Sequence, residues 1–294
     1  MLELDAYKGE IKPTWCPGCG DFAVLNATLK ALQSLQIEPW NVLTVSGIGC
    51  SSNFPHFLSA YGFHGIHGRA IPVASGAKLA NPSLTVIATG GDGDGFGIGC
   101  GHFVHAMRRN LDLTYVVMDN QIYGLTTGQA SPTSEMGMKT KSTPEGVIEE
   151  PINPIALALA SGATFVSRGF SGDVKGLTEI MVAAIQHKGF SLVDVLSPCV
   201  TYNKDNTYEW FRARVYRLDK EGHDPADIRK AWDRAVEWPA FDSSKERIPT
   251  GIFYRKEGKP SYEDLEPALK AGPLTKQPLG LPADLQKKLL GDFY

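Results

Sequence analysis

Residues 14–22, TWCPGCGDF, place two thiols three positions apart around a Pro-Gly pair. If Cys16 and Cys19 bind metal they need partners, and the chain offers Cys50, Cys100 and Cys199. Cys50 (GIGCSS) and Cys199 (LSPCV) each follow an apolar run that reads as a strand, so they belong to one edge of a sheet. Cys100, in GFGIGCGHFV, falls where a helix begins and reads as a small buried apolar residue. Cys16, Cys19, Cys50 and Cys199 form a four-thiolate set, suited to zinc or to an iron–sulfur cluster. Structural zinc ordinarily takes two compact Cys-x-x-Cys pairs, and only one pair here is compact. A redox-active Cys-x-x-Cys and a set of unrelated thiols are the other readings the spacing leaves open.

A second group is built on oxygen. TGGDGDGFGIGCG contains no GxGxxG register between Gly91 and Gly101, and the chain has no GxxxxGK[ST], so neither nucleotide-binding fingerprint is present. Gly91-Asp92-Gly93 instead follows one apolar strand directly, and Asp119-Asn120 follows the next. Adjacent strand ends bring Asp92 and Asn120 together. A carboxylate plus an amide carbonyl is a hard oxygen pair that suits magnesium, with positions left for phosphate and water. A helix expected from about Gly97 points its N-terminus at the same place and favours phosphate. A glycine turn with a capping Asp is the plainer alternative.

The elements that must position these residues alternate. FAVLNATLKALQSLQ has helical spacing, NVLTVSG reads as a buried strand, LTVIATGGDGDG as a second and LTYVVMDN as a third, with GHFVHAMRRN helical between them. NPIALALASG and GLTEIMVAAIQHKG read as helices closed by Gly162 and Gly189, and TFVSRG and FSLVDVLSPC as strands. Unalternating strands separated by helices predict an α/β fold: a mainly parallel sheet covered on both faces, with ligands at the strand ends. Residues 122–154 form a long segment rich in Gly, Thr, Ser and Pro, the kind of loop that is usually functional. After Asn203 the chain turns aromatic and charged. YEWFRARVYRLD and AWDRAVEW read as helical pieces, GIFYRKE as a strand, and the end as an extended tail.

Composition bounds the function. The chain has 294 residues, 43% of them hydrophobic, enough for one large α/β domain with additions. A net charge of −3 gives no reason to expect nucleic-acid or membrane-surface binding. Five cysteines are too few for a disulfide scaffold, the N-terminus has no apolar signal-peptide core, and no run approaches a membrane span. A cytoplasmic, reducing location is the expectation.

The motifs together resemble a family. WCPGCGDF, SGIGCSSNFPHF, YGFHGIHGRAIPVASGAKLANP, GGDGDGFGIG, MDNQIYGLTTGQASPTS and LSPCVTYN make roughly residues 10 to 205 similar to the β subunit of 2-oxoacid:ferredoxin oxidoreductases. The resemblance implies a thiamine diphosphate-binding fold over 1–205 and an irregular C-terminal extension, 206–294, packed on the same domain or on a partner subunit. It implies that Cys16, Cys19, Cys50 and Cys199 hold one 4Fe–4S cluster, with Cys100 outside it. Asp92 and Asn120 would ligate Mg2+ through side chains, and Ile122 through its carbonyl. Ile48, Gly49, Cys50 and Ser51 would line thiamine diphosphate, with His67 beside the diphosphate. Gly93, Asp94, Gly124 and Leu125 would meet the diphosphate through backbone amides.

The activity so implied is coenzyme A-dependent oxidative decarboxylation of a 2-oxoacid to acyl-CoA and CO2, with electrons passed through the cluster to ferredoxin. TTGQASPTS and the loop length resemble 2-oxoglutarate-acting and general 2-oxoacid members more than pyruvate-specific ones, with 2-oxoglutarate favoured, although relatives often carry Lys or Gly where this chain has Thr127. Pyruvate or a broad range of 2-oxoacids is the alternative, and a non-catalytic zinc-stabilised nucleotide-binding subunit is the alternative of another class. No catalytic residue is assigned in this chain: the carboxylate that activates the aminopyrimidine has no clear match, so an α subunit is expected to supply it. The expected unit is an αβ pair doubled by symmetry. Trp210, Phe211, Trp232 and Trp238 are interface candidates.

Overall fold

The computed structural model describes all residues of the chain except Pro239, Asp242, Ser243, Lys245, Leu279 and Tyr294. The strands are β1 (Val42–Ser46), β2 (Tyr61–His64), β3 (Thr85–Gly91), β4 (Thr114–Asp119), β5 (Phe165–Phe170), β6 (Ser191–Leu196), β7 (Val215–Arg217) and β8 (Ile248–Arg255). The α-helices are α1 (Asp21–Leu35), α2 (Ala70–Ala80), α3 (Cys100–Arg109), α4 (Pro154–Ala160), α5 (Val174–Gln186), α6 (Tyr208–Arg212), α7 (Ile228–Ala235), α8 (Tyr262–Leu265) and α9 (Ala283–Gly291).

One 8-stranded sheet runs β2-β1-β3-β4-β6-β5-β8-β7. The first six strands are parallel, and β8 joins β5 antiparallel. Alternation along each strand feeds two cores. Val86, Ala88, Tyr115, Val117 and Leu192 pack with Ala74, Phe103 and Ile155 from α2, α3 and α4. Ile87, Val116, Met118, Val193 and Val195 pack with Val24, Leu29 and Met181 from α1 and α5. Both faces are therefore covered, and β4, β5 and β6 are buried at every position.

The chain leaves β1 towards β2 on one side and leaves β3 towards β4 on the other. The connections leaving the paired carboxyl ends of β1 and β3 thus diverge, which opens a crevice at a topological switch point. Among the described residues no helix is long and apolar enough to cross a membrane.

Some local expectations are corrected. YEWFRARVYRLD is not one helical piece, because α6 ends at Arg212 and Val215–Arg217 pairs in parallel with β8. The tail is not simply extended, since it carries α9. Helical backbone begins at Gly93 rather than about Gly97: a π-helical turn, Gly93–Ile98, breaks at Gly97 before α3 starts.

Phe211 and Trp238 are not interface residues but core, each 2% exposed and packed with Phe170, Leu196 and Ile248. Phe211 packs on Trp238 and Phe170, and Trp238 in turn covers the fully buried Arg168 on β5, whose Nε donates to Asp194 at 3.0 Å. Its guanidinium lies 4.7 Å from the Trp238 ring centre and 5.6 Å from that of Phe253, and these rings shield it. Trp232 stays exposed.

Candidate active site and cluster cavity

Cys16-Pro17-Gly18-Cys19 folds as a tight turn. The Cys19 N–H donates to the Cys16 carbonyl at 2.9 Å, and Gly18 has φ +85°. Proline second and a left-handed glycine third are what a type II turn requires. The turn is pinned from behind. Trp15 is buried against Phe57 and Phe22, and its Nε1 donates to the Cys50 carbonyl at 2.7 Å. Gly20 lies so close to the LSPC segment that a Cβ there would sit 2.8 Å from Ser197 Cα. Its N–H donates to the Pro198 carbonyl, and Ser197 Oγ donates to Asp21 Oδ1 at 2.7 Å. These contacts bring Cys199, which follows β6, alongside the turn.

All four thiols, Cys16, Cys19, Cys50 and Cys199, line one cavity of about 220 Å3. Cys100 stands apart on α3. Among the described residues no three His, Cys, Asp or Glu side chains are placed to hold a single metal ion. Burial, followed by the nearby Asp21 carboxylate, pushes the Cys50 thiol up to about 12 and raises Cys19 well above the usual thiol range. Bare thiolates are thus disfavoured here, and metal loading would have to displace protons.

A second cavity of about 210 Å3 adjoins the first in the crevice. It is lined by Ile48, Gly49, Cys50, Ser51, His67, Asp92, Gly93, Asp94, Asn120, Ile122, Gly124 and Leu125, so the oxygen donors and the expected cofactor contacts share one wall system. Cys50, Asn120, Gly124 and Leu125 line both cavities. A Cβ on Gly124 would lie 3.5 Å from Cys199 Sγ and 3.7 Å from Cys50 Sγ, so the partition there is one backbone thick.

Asp94 ties the crevice together. Its Oδ1 accepts from Ile48 N at 2.8 Å, Gly68 N at 2.7 Å and His67 Nδ1 at 2.9 Å. The loops after β1 and β2 and the turn after β3 are thereby held by one carboxylate. Tyr123 covers Gly93: its hydroxyl donates to the Gly93 carbonyl at 3.1 Å, and a Cβ on Gly93 would lie 2.6 Å from the ring Cζ.

Asp92 is 1% exposed, and Thr133 Oγ1 lies 2.7 Å from its Oδ2 and 2.9 Å from Asp119 Oδ1. Burial raises the Asp92 carboxyl to about 6, against the lowering effect of bonds from Ser131, Thr133 and backbone N–H groups. Burial, then the charges of Asp92 and Asp194, holds Asp119 well above the carboxylate range. In the metal-free chain a raised carboxyl value means that Asp92 costs stability as pH rises from its ordinary value through about 6. A cation held by Asp92, as the resemblance implies, would have to displace that proton. Mg2+-dependent cofactor binding is therefore expected to be flat above pH 6 and to weaken by up to about tenfold per pH unit below it. Titration calorimetry at fixed low Mg2+ checks this, and pH-independent binding would contradict it.

Sequence reasoning missed Asp21, Met118, Tyr123 and Thr126, which also line the cofactor cavity, and Thr133 behind it. An acid opening a helix directly after CPGCG was a usable signal for Asp21. Thr127 holds a left-handed backbone, φ +76°, and Lys141 Nζ donates to its hydroxyl at 3.1 Å.

The family model described as the thiamine pyrophosphate enzyme C-terminal TPP binding domain matches residues 47–195. The 2-oxoacid:ferredoxin oxidoreductase subunit beta of Saccharolobus solfataricus is 52% identical over 261 residues, covering 85% of this chain and 84% of that one. This chain belongs to the 2-oxoacid:ferredoxin oxidoreductase β-subunit family. A second model, for the C-terminal part of the pyruvate ferredoxin oxidoreductase β subunit, matches 199–271. The 2-oxoglutarate oxidoreductase subunit KorB of Mycobacterium tuberculosis is 50% identical over 198 residues, 67% of this chain and 53% of that one. In solved structures the chain is similar to a 2-oxoglutarate:ferredoxin oxidoreductase from Magnetococcus marinus with 2-oxoglutarate, coenzyme A and succinyl-CoA bound. The TM-score is 0.89 at 39% identity, over 98% of this chain and 96% of that one. A 2-oxoacid:ferredoxin oxidoreductase β subunit is part of an oxidoreductase, and its designation implies an α-subunit partner.

Proposed function

We propose that the chain, with its α subunit, carries out coenzyme A-dependent oxidation of 2-oxoglutarate to an acyl-CoA and CO2 and delivers the electrons to ferredoxin through a 4Fe–4S cluster. The observation that carries this is the shared wall: Cys50, Asn120, Gly124 and Leu125 line both the cofactor cavity and the thiol cavity. Electrons released in one cavity need cross only a backbone-thick partition to reach the other. Preference for 2-oxoglutarate rests on the KorB relatives and on the Magnetococcus marinus likeness. The relatives named for 2-oxoacids in general favour the second reading, a broader substrate range.

In this reading Cys16, Cys19, Cys50 and Cys199 hold the cluster. The residues fit it, being four soft thiols around one cavity whose other lining side chains carry no positive charge. Asp92, Asn120 and the Ile122 carbonyl fit Mg2+, being hard oxygens lining one wall, with the Asp92 carboxyl readily ionised at neutral pH. Thiamine diphosphate supplies the electron sink for decarboxylation when bound. Ile48, Gly49, Ser51 and Cys50 would shape its seat, and Gly93, Asp94, Gly124, Leu125 and His67 would meet its diphosphate. Asp94, by clamping Ile48, His67 and Gly68, orients that seat. The extension 206–294 completes the same domain through β7 and β8. An αβ pair, doubled, is the active unit, working in a reducing cytoplasm.

The test is composition followed by assay. The anaerobically purified αβ complex should contain about four irons and four sulfides per β chain, one thiamine diphosphate, and no zinc in place of iron. With methyl viologen as acceptor, 2-oxoglutarate should be oxidised in preference to pyruvate, and only when coenzyme A is present. Zinc without iron would refute the cluster, and a pyruvate preference would refute the substrate.

A further inference from the structure

Loop 122–154 does more than cover the crevice. Its SPTS stretch, residues 131–134, is folded inward and almost wholly buried, with Thr133 at 3% exposure and Ser134 at 1%. Ser134 Oγ donates to the Gln121 carbonyl at 2.6 Å, and the Ser131 N–H donates to Ser134 Oγ at 2.8 Å. Gln121, itself left-handed at φ +57°, returns a bond from Nε2 to the Thr133 carbonyl at 3.2 Å. The Ile152 N–H donates to the Pro132 carbonyl at 2.8 Å and locks the far end of the loop to the same stretch. The stretch is over-determined, and one of its side-chain groups bridges two carboxyls. That group is the Thr133 hydroxyl, placed between Asp92 Oδ2 and Asp119 Oδ1 at 2.7 and 2.9 Å.

We infer that Thr133 is the positioning residue for the magnesium ligand Asp92, and that through it loop 122–154 sets the geometry of the metal site. The inference rests on the reading of Asp92 as the carboxylate that holds Mg2+. A buried carboxylate beside a second carboxyl, here Asp119, is oriented by the donors that fix its oxygens. Beside Ser131 and backbone N–H groups, Thr133 supplies the donor that stands between Asp92 and Asp119. Its β-branched side chain is stiff, so the hydroxyl position is set by the backbone that Gln121, Ser134 and Ile152 secure. Residues that orient a metal ligand from behind are typically worth about 10- to 100-fold in metal affinity.

Thr133→Val keeps the shape and removes the donor, while Thr133→Ser keeps the donor. In the αβ complex, thiamine diphosphate binding is measured by calorimetry across a Mg2+ series, beside the Asp92→Asn complex. Thr133→Val is expected to need about 10- to 100-fold more Mg2+ for half-saturation of cofactor binding, to regain wild-type cofactor affinity at saturating Mg2+, and to be rescued by Thr133→Ser. An unchanged Mg2+ requirement in Thr133→Val overturns the inference. So does a loss of binding that no Mg2+ concentration restores and that Thr133→Ser shares, because that pattern belongs to a folding defect of the loop. If Asp92→Asn also leaves the Mg2+ requirement unchanged, the reading of Asp92 as ligand has failed. If Asp92→Asn raises it and Thr133→Val does not, only the role of Thr133 has failed.

Discussion

Cys199→Ser is expected to abolish cluster-dependent electron transfer while Cys100→Ser leaves it intact. Cys199 is 9% exposed and meets the other three thiols in one cavity, although it is nearly 150 positions beyond Cys50 in the sequence. Serine is a harder and far less acidic ligand, so a four-thiolate site loses a quarter of its donors and its closed geometry. Iron per β chain should fall sharply, and viologen reduction should drop at least about 100-fold, the equivalent of ~2.7 kcal/mol. Cys100 lies outside both cavities, and its replacement should change iron content and rate by less than about twofold. Equal losses in the two variants would show the ligand set to be wrong.

The next largest effect is expected at Asp92. Its side chain carries the one formal negative charge assigned to the metal, and it is buried with its oxygens engaged by Thr133 and backbone donors. Asp92→Asn keeps the size and removes the charge. Cofactor affinity at limiting Mg2+ should fall about 100-fold and recover only in part as Mg2+ rises, since a neutral amide oxygen binds Mg2+ poorly. The fold should hold, because removing a buried carboxyl whose value is raised to about 6 also removes a desolvation cost at neutral pH. Calorimetry on the αβ complex reads the affinity, and thermal unfolding reads the fold. Wild-type affinity in Asp92→Asn would remove magnesium from this position.

What the sequence made visible, and what it hid, follows from how each residue meets its partners. Cys16-Pro17-Gly18-Cys19 was legible because its turn is local, with proline and glycine at the positions the turn demands. Asp92 and Asn120 were legible because each follows directly on a strand, and parallel pairing of β3 with β4 sets their ends side by side. Tyr123 and Thr133 were not, since their contacts with Gly93 and Asp92 depend on how a long irregular loop folds back. Helix α2 was hidden by Pro72 in its first turn and Gly76 within it, and β2 by lying fully exposed at the sheet edge, with no buried face to impose a pattern. Phe211 and Trp238 looked like interface aromatics. Trp238 turns inward over the buried Arg168–Asp194 pair of β5 and β6, and Phe211 packs behind it against Trp238 and Phe170, contacts that depend on distant segments.

The central claim is that cofactor and cluster occupy adjoining cavities of this one chain, so that substrate oxidation reduces the cluster directly. The direct test uses the anaerobic αβ complex without ferredoxin or any other acceptor. On addition of 2-oxoglutarate and coenzyme A the visible absorbance of the cluster should bleach, and a reduced-cluster paramagnetic signal should appear, approaching one spin per β chain. Both should be absent in the Cys199→Ser complex. A cluster that stays oxidised while CO2 is released, or a signal that persists undiminished in Cys199→Ser, would contradict it.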